Sequence, residues 1–68
     1  MFVLVNGDSR ELPAGTTVAG VLGSFPHAPD GRGVAVALDG EVIPRGQWQQ
    51  TELRDGARVE VVVAVQGG

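Results

Sequence analysis

The sequence predicts an α+β roll in which one main helix packs on one face of a mixed sheet of four to five strands. Three observations predict this fold class. Short apolar runs flank Asn-Gly and Asp-Gly pairs, which is typical of β-hairpins. One stretch carries apolar residues at helical spacing. The chain has 68 residues, the length of one domain with a small core. We therefore expect a single domain over residues 1–68.

The first hairpin is predicted from the apolar run "FVLV" at residues 2–5 and the segment "RELP" at residues 10–13. Between them lie Asn6 and Gly7, which tolerate the positive φ that a two-residue hairpin turn requires. The sequence thus begins with two antiparallel strands.

The helix is predicted after this hairpin, because apolar residues recur at i, i+3, i+4 and i+7: Val18, Val21, Leu22 and Phe25. Thr16 or Thr17 can cap its first turn. Gly20 and Gly23 each cost about 1 kcal/mol relative to alanine, so the helix should be short and held by packing. Pro26 ends it.

The second half of the chain predicts three more strands. Residues 34–38 and 41–44 flank Asp39-Gly40 and form a second hairpin signal. Residues 45–56 form a polar connection with a short helical turn, in which Trp48 should cover one end of the core and bond its indole N–H. The run at residues 57–65 completes the sheet.

Strand alternation predicts an exposed apolar surface on this last strand. If Val59, Val61, Val63 and Val65 face the helix, the residues between them, Glu60, Val62, Ala64 and Gln66, face away. Val62 and Ala64 are then exposed, and contiguous exposed apolar surface often marks a partner site.

Composition excludes most catalytic chemistry. The chain has no cysteine, lysine or tyrosine and a single histidine, His27, so we expect no metal site, no bound cofactor and no self-contained active site. The net charge of −3, with five dispersed arginines, argues against nucleic acid as a partner. No apolar run is long enough to span a membrane and no secretory signal is evident, so the expected location is the cytoplasm.

The chain resembles the ThiS family, the sulfur carrier proteins of thiamin biosynthesis. The motifs that carry this resemblance are "VNG" after the first strand, "AGTTVAGVL" at the helix start, "VAVALDGEVIPRGQW" across the second hairpin and "LRDGARVEVVVAVQGG" at the end of the sequence. The "IPR" at residues 43–45 followed by Trp48 is among its most specific parts.

The resemblance implies a ubiquitin-like β-grasp fold, with the first and last strands parallel in the middle of the sheet. Phe2 and Leu4 would then share the exposed face with Val62 and Ala64, as a surface for docking partners.

The resemblance further implies that the carboxylate of Gly68 is the working group. An adenylating enzyme of the ThiF type would use MgATP to convert it to an acyl-adenylate. A sulfur donor such as a cysteine desulfurase would provide the sulfur of a thiocarboxylate. A thiazole synthase of the ThiG type would receive that sulfur. The protein would be a co-substrate and not an enzyme.

The chemistry of the last residues agrees with this role. A chain-terminal carboxylate has an ordinary pKa of about 3.5 and is ionised at neutral pH, so it can attack the α-phosphate of ATP once another protein neutralises the phosphate charge. Gly67 and Gly68 lack a Cβ and can enter a narrow active site. With Gln66 they should form a flexible tail, residues 66–68, that reaches about 10 Å beyond the sheet.

Other functions remain open at this point. A sulfur carrier could serve another acceptor, as the small subunit of molybdopterin synthase does, or serve synthesis of cysteine or a secondary metabolite. A ubiquitin-like modifier of other proteins and a plain interaction domain are the alternatives from other classes.

Overall fold

The computed structural model describes residues 1–23 and 33–63. Within these ranges the chain forms a five-stranded mixed sheet in the order β2-β1-β5-β3-β4 with one α-helix. The strands are β1 (Phe2–Val5), β2 (Asp8–Glu11), β3 (Val34–Leu38), β4 (Glu41–Val42) and β5 (Arg58–Val63), and the helix is α1 (Val18–Leu22). The predicted fold class is confirmed.

The centre of the sheet joins the two ends of the described chain. β1 and β5 are parallel neighbours, with Leu4 opposite Arg58 and Val5 opposite Val59. β5 is also antiparallel to β3, where Val36 lies opposite Val61. This is the arrangement expected of a ubiquitin-like β-grasp fold. It makes β5 a central strand with a neighbour on each side.

The two hairpins turn as the sequence predicts. Asn6 has a φ of 52° and Gly7 of 86°, and Asp39 has a φ of 51° and Gly40 of 86°. Two consecutive residues with positive φ form the tight turn that matches strand twist. The prediction that the second strand begins at Arg10 is wrong: since the turn needs only two residues, Asp8 already pairs with Val5.

The second hairpin is shorter than residues 41–44 suggested. β4 ends at Val42, although the N–H of Ile43 still donates to the carbonyl of Val36 at 2.8 Å. Pro44 has no N–H to continue the ladder, and it leads into the predicted helical turn, a 3₁₀ helix over Arg45–Gln47.

The helix α1 is held by its surroundings. Five residues are too few for a helix to be stable alone. Its first N–H groups all have partners: Val18 donates to the carbonyl of Thr51 at 2.9 Å, Ala19 to that of Trp48 at 3.1 Å, and Gly20 to the hydroxyl of Thr17 at 3.2 Å. Thr17 is therefore the N-cap. The expectations for Phe25 and Pro26 lie outside the described residues.

The core lies between α1 and the inner face of the sheet. Among residues 1–23 and 33–63, eleven buried residues form it: Val3, Val5, Val18, Val21, Leu22, Val36, Trp48, Leu53, Ala57, Val59 and Val61. Trp48 has the predicted packing role, and its indole N–H donates to the carbonyl of Ile43 at 2.8 Å. Five of the seven valines in this list lie on strands, where β-branched side chains suit a pleated sheet.

Candidate functional site

β5 is the strand that continues in sequence toward the predicted reactive glycine. Its first residues alternate as predicted: Val59 and Val61 are buried, whereas Glu60 and Val62 are exposed. Alternation puts Val63 on the same side of β5 as Val59 and Val61. The prediction that it packs in the core is nevertheless wrong, because Val63 is 37% exposed. It pairs with Val34, the first residue of β3, at the end of the ladder, where fewer neighbours cover it.

The face of the sheet opposite α1, here called the outer face, carries the predicted docking residues. Val62 is 64% and Phe2 is 56% exposed, and Leu4 is half-buried. All three point away from the buried side chains of their own strands, so they share this face. Ala64 lies outside the described residues, as do Gln66, Gly67 and Gly68.

The register divides the outer face into two apolar groups. Leu4 lies opposite Arg58, four residues before Val62 on β5. At 3.3 Å per residue, Leu4 and Val62 are about 13 Å apart along the strands. The outward side chains of Arg58 and Glu60 lie between them. Phe2 and Leu4 are therefore a β1 group, separate from the apolar surface around Val62.

The second group is larger than the sequence suggested. Val62 lies opposite Ala35, and Ala37 lies opposite Val42, which is 69% exposed. These four residues, Ala35, Ala37, Val42 and Val62, are here called the β3–β5 group. Sequence reasoning missed three of them, although "VAVAL" alternates small and large residues and so already placed both alanines on one face.

A shallow depression of about 340 Å³ lies between the two apolar groups. Leu4, Arg58 and Glu60 line it, together with the turn residues Asp39, Gly40 and Gly56. Its lining combines one arginine and two carboxylates, which makes the middle of the outer face polar.

Three side chains in turns hold the backbone of the central strands. The N–H of Phe2 donates to Oδ1 of Asp55 at 2.7 Å, and that of Arg58 to Oδ1 of Asp39 at 2.9 Å. Asn6 contacts Val61 through both polar atoms of its amide. These contacts fix the start of β1 and both halves of β5, and hence the direction in which β5 leaves the sheet.

Metal-ligating clusters and membrane-spanning helices are both absent from the part of the chain that the structure describes. No cluster of three or more metal-ligating side chains occurs among residues 1–23 and 33–63. Over the same residues, no helix is long and apolar enough to cross a membrane. What the described surface does offer is an exposed apolar face beside the strand that leads to Gly68.

Comparison with known proteins gives a consistent result. The ThiS family model matches residues 3–68. Over all 68 residues the chain is 29% identical to the sulfur carrier protein ThiS of Escherichia coli, which it covers completely. It is 34% identical to a thiazole synthase of Paramagnetospirillum magneticum, but spans only 20% of that protein's length.

Solved structures show the same fold. The crystal structure of the thiamine biosynthesis protein ThiS from Geobacter metallireducens matches with a TM-score of 0.80 and 28% identity, over the full length of both chains. The solution structure of a thiamine biosynthesis protein from the same organism matches with a TM-score of 0.79, over 88% of that chain.

Proposed function

The chain belongs to the ThiS family, the sulfur carriers of thiamin biosynthesis, and we propose that it carries sulfur on the carboxylate of Gly68. The observation that supports this site is the place of β5. The strand is anchored in the middle of the sheet by β1 and β3. The sequence that follows it ends in two glycines. A rigid body thus precedes residues that have no side chain to obstruct entry into another protein's active site.

The proposed chemistry begins with adenylation. A carboxylate oxygen of Gly68 attacks the α-phosphorus of MgATP in an adenylating enzyme of the ThiF type. The bond to the bridging oxygen breaks and pyrophosphate leaves. Sulfide, or the terminal sulfur of a persulfide from a donor such as a cysteine desulfurase, then attacks the acyl carbon, and AMP leaves with one carboxylate oxygen. When the donor is a persulfide, the product is an acyl disulfide, and a thiol must supply two electrons to cleave its S–S bond and release the thiocarboxylate. One oxygen has been exchanged for sulfur. The reaction consumes ATP, and we place it in the cytoplasm.

The protein supplies the substrate group and a docking surface, and the partner supplies catalysis. The chain contains no cysteine, lysine or tyrosine to act as a nucleophile or acid. We propose that the outer face is what the partner recognises, through the predicted residues Phe2, Leu4, Val62 and Ala64. Of the two apolar groups, the β3–β5 group lies nearer the end of β5, so a partner bound there lies beside the strand that leads in sequence toward Gly68.

We propose a thiazole synthase of the ThiG type as the acceptor. The likeness to a thiazole synthase about five times the length of this chain supports this choice, because it relates this domain to a protein that carries that activity. The thiocarboxylate sulfur would then enter the thiazole ring.

Intact mass tests the carrier proposal directly. The purified protein is incubated with the adenylating enzyme, MgATP and sodium sulfide. Exchange of one oxygen for sulfur adds about 16 Da, and the gain should depend on ATP. Adding the thiazole synthase with its other substrates should return the mass to its starting value.

The matched control moves the carboxylate without changing the domain. One alanine added after Gly68 keeps every residue of the sheet but displaces the carboxylate by one residue and adds a Cβ. We expect this variant to gain no mass, and Gly68→Ala to react at least about tenfold more slowly. Equal loading of the extended variant would show that the reactive group is not the one proposed.

A further inference from the structure

The parallel pairing of β1 with β5 ends before β5 does. After Val5, opposite Val59, the chain turns away at Asn6, whose φ is 52°. β5 continues to Val63 along β3. In an uninterrupted parallel ladder, the N–H of Val61 would donate to the main-chain carbonyl of Asn6. The turn into the hairpin takes that carbonyl out of the strand direction.

The side chain of Asn6 takes over this position. The N–H of Val61 donates to Oδ1 of Asn6 at 2.8 Å, and Nδ2 of Asn6 donates to the carbonyl of Val61 at 3.2 Å. The main-chain N–H of Asn6 also donates to the carbonyl of Val59 at 2.9 Å. A carboxamide has the same donor and acceptor as a peptide group. The side chain thus extends β1 by one peptide unit without extending its backbone.

We propose that Asn6 is a positioning residue for the sulfur-carrying end of the chain. It fixes both main-chain polar groups of Val61, the last buried residue of β5 in the described chain, on the side where β1 has ended. Residues 62 and 63 are paired with β3. β5 is thus held on both sides at this point, by Asn6 at Val61 and by β3 at the residues that follow, and this fixes the direction in which the chain leaves the sheet. The positioning role rests on the proposed function, whereas the hydrogen-bonded clamp on Val61 does not.

Few residues can combine the two roles of Asn6. Glycine tolerates the positive φ but offers no side-chain hydrogen bond. Aspartate tolerates this backbone and keeps the acceptor for the N–H of Val61, but it lacks the donor for the carbonyl. Asn6→Gly therefore removes the clamp while preserving the turn, and Asn6→Asp restores half of it.

Amide hydrogen exchange tests the clamp in the free protein. In Asn6→Gly, the exchange rate of the Val61 amide should rise at least about tenfold, while that of the Ile43 amide, which donates to the carbonyl of Val36 at 2.8 Å, stays within about twofold. In Asn6→Asp, the exchange rate of the Val61 amide should lie between the rates in Asn6→Gly and in the original protein. Thr17→Ala is the control for general destabilisation, since it removes the cap of α1 and leaves β5 untouched. Thr17→Ala should either raise the exchange rates of the Val61 amide and the Ile43 amide by the same factor or leave both unchanged.

Kinetics of sulfur loading tests the positioning role. A tail that leaves the sheet in variable directions reaches the adenylate geometry less often, so kcat should fall about threefold to tenfold in Asn6→Gly, while KM for the carrier stays within about twofold. Asn6→Asp should recover part of the loss. Under conditions in which it is folded, Thr17→Ala should have the same kcat and KM as the original protein.

The outcomes separate the two proposals. Unchanged exchange at Val61 in Asn6→Gly, or an equal rise at Ile43, would overturn the clamp. Faster exchange at Val61 with unchanged kcat would overturn the positioning role. If the original protein gains no sulfur at all, the carrier function is wrong, and the exchange measurement still decides whether Asn6 holds β5.

Discussion

Val61 and Val62 are adjacent in sequence and face opposite ways, so the same substitution at each should have opposite consequences. Val62 is 64% exposed and Val61 only 7%. Fully burying a valine contributes about 1.5–3 kcal/mol, so Val62→Lys forfeits roughly 0.5–1 kcal/mol of burial. Val61→Lys forfeits nearly all of it and also buries an unpaired charge at a cost of several kcal/mol.

These losses must be compared with the stability of the whole domain. A domain of 68 residues has a free energy of unfolding of about 3–10 kcal/mol. We expect Val62→Lys to remain folded and Val61→Lys to be largely unfolded at 25 °C. Urea unfolding followed by the fluorescence of Trp48, the single tryptophan, measures both.

The same prediction also concerns binding of the Val62 variants to the adenylating enzyme. If Val62 packs against an apolar partner surface, Val62→Lys should weaken binding at least about tenfold, or 1.4 kcal/mol, by isothermal titration calorimetry. Val62→Glu should weaken it as well, because either charge must be desolvated. Unchanged affinity in both folded variants would refute a contact at Val62, and tighter binding by one of them would show an electrostatic contact instead of an apolar one.

Two further predictions concern the scaffold. Trp48→Phe should lower the free energy of unfolding by about 1–3 kcal/mol, because the carbonyl of Ile43 loses its indole donor; circular dichroism in urea measures the change, and an unaltered midpoint would contradict that role. Asp39→Gly should cost about 0.5–1 kcal/mol through its exposed hydrogen bond to the N–H of Arg58. Asp39→Val should cost more than Asp39→Gly because a β-branched residue is strained at positive φ, and the opposite order in thermal unfolding would contradict this account.

Local chemistry accounts for what could be predicted from the sequence. Asn6-Gly7 and Asp39-Gly40 predicted both turns because few other pairs tolerate positive φ at two consecutive positions. Alternation predicted the exposure of Val62, since side chains on a strand must point to opposite faces. The resemblance to sulfur carriers supplied the parallel pairing of the central strands, which no local pattern contains.

Long-range register accounts for what could not be predicted. Nothing in residues 2–5 indicates that Leu4 lies opposite Arg58, so the separation of the outer face into two apolar groups emerges only from the sheet. The contact between Asn6 and Val61 joins residues that are 55 positions apart. The exposure of Val63 depends on where β3 begins. Each of these features is set by which distant segments meet, and not by the propensity of either.

The parallel pairing of β1 with β5 also has a consequence for biosynthesis. β1 leaves the ribosome first, but its central neighbour is made more than fifty residues later, and contacts of such separation slow folding. The buried side chains of β1 cannot be covered until β5 has emerged. A truncated chain without residues 58–63 should therefore stay unfolded and be degraded. A folded molecule therefore already contains β5, the strand that leads in sequence toward Gly68.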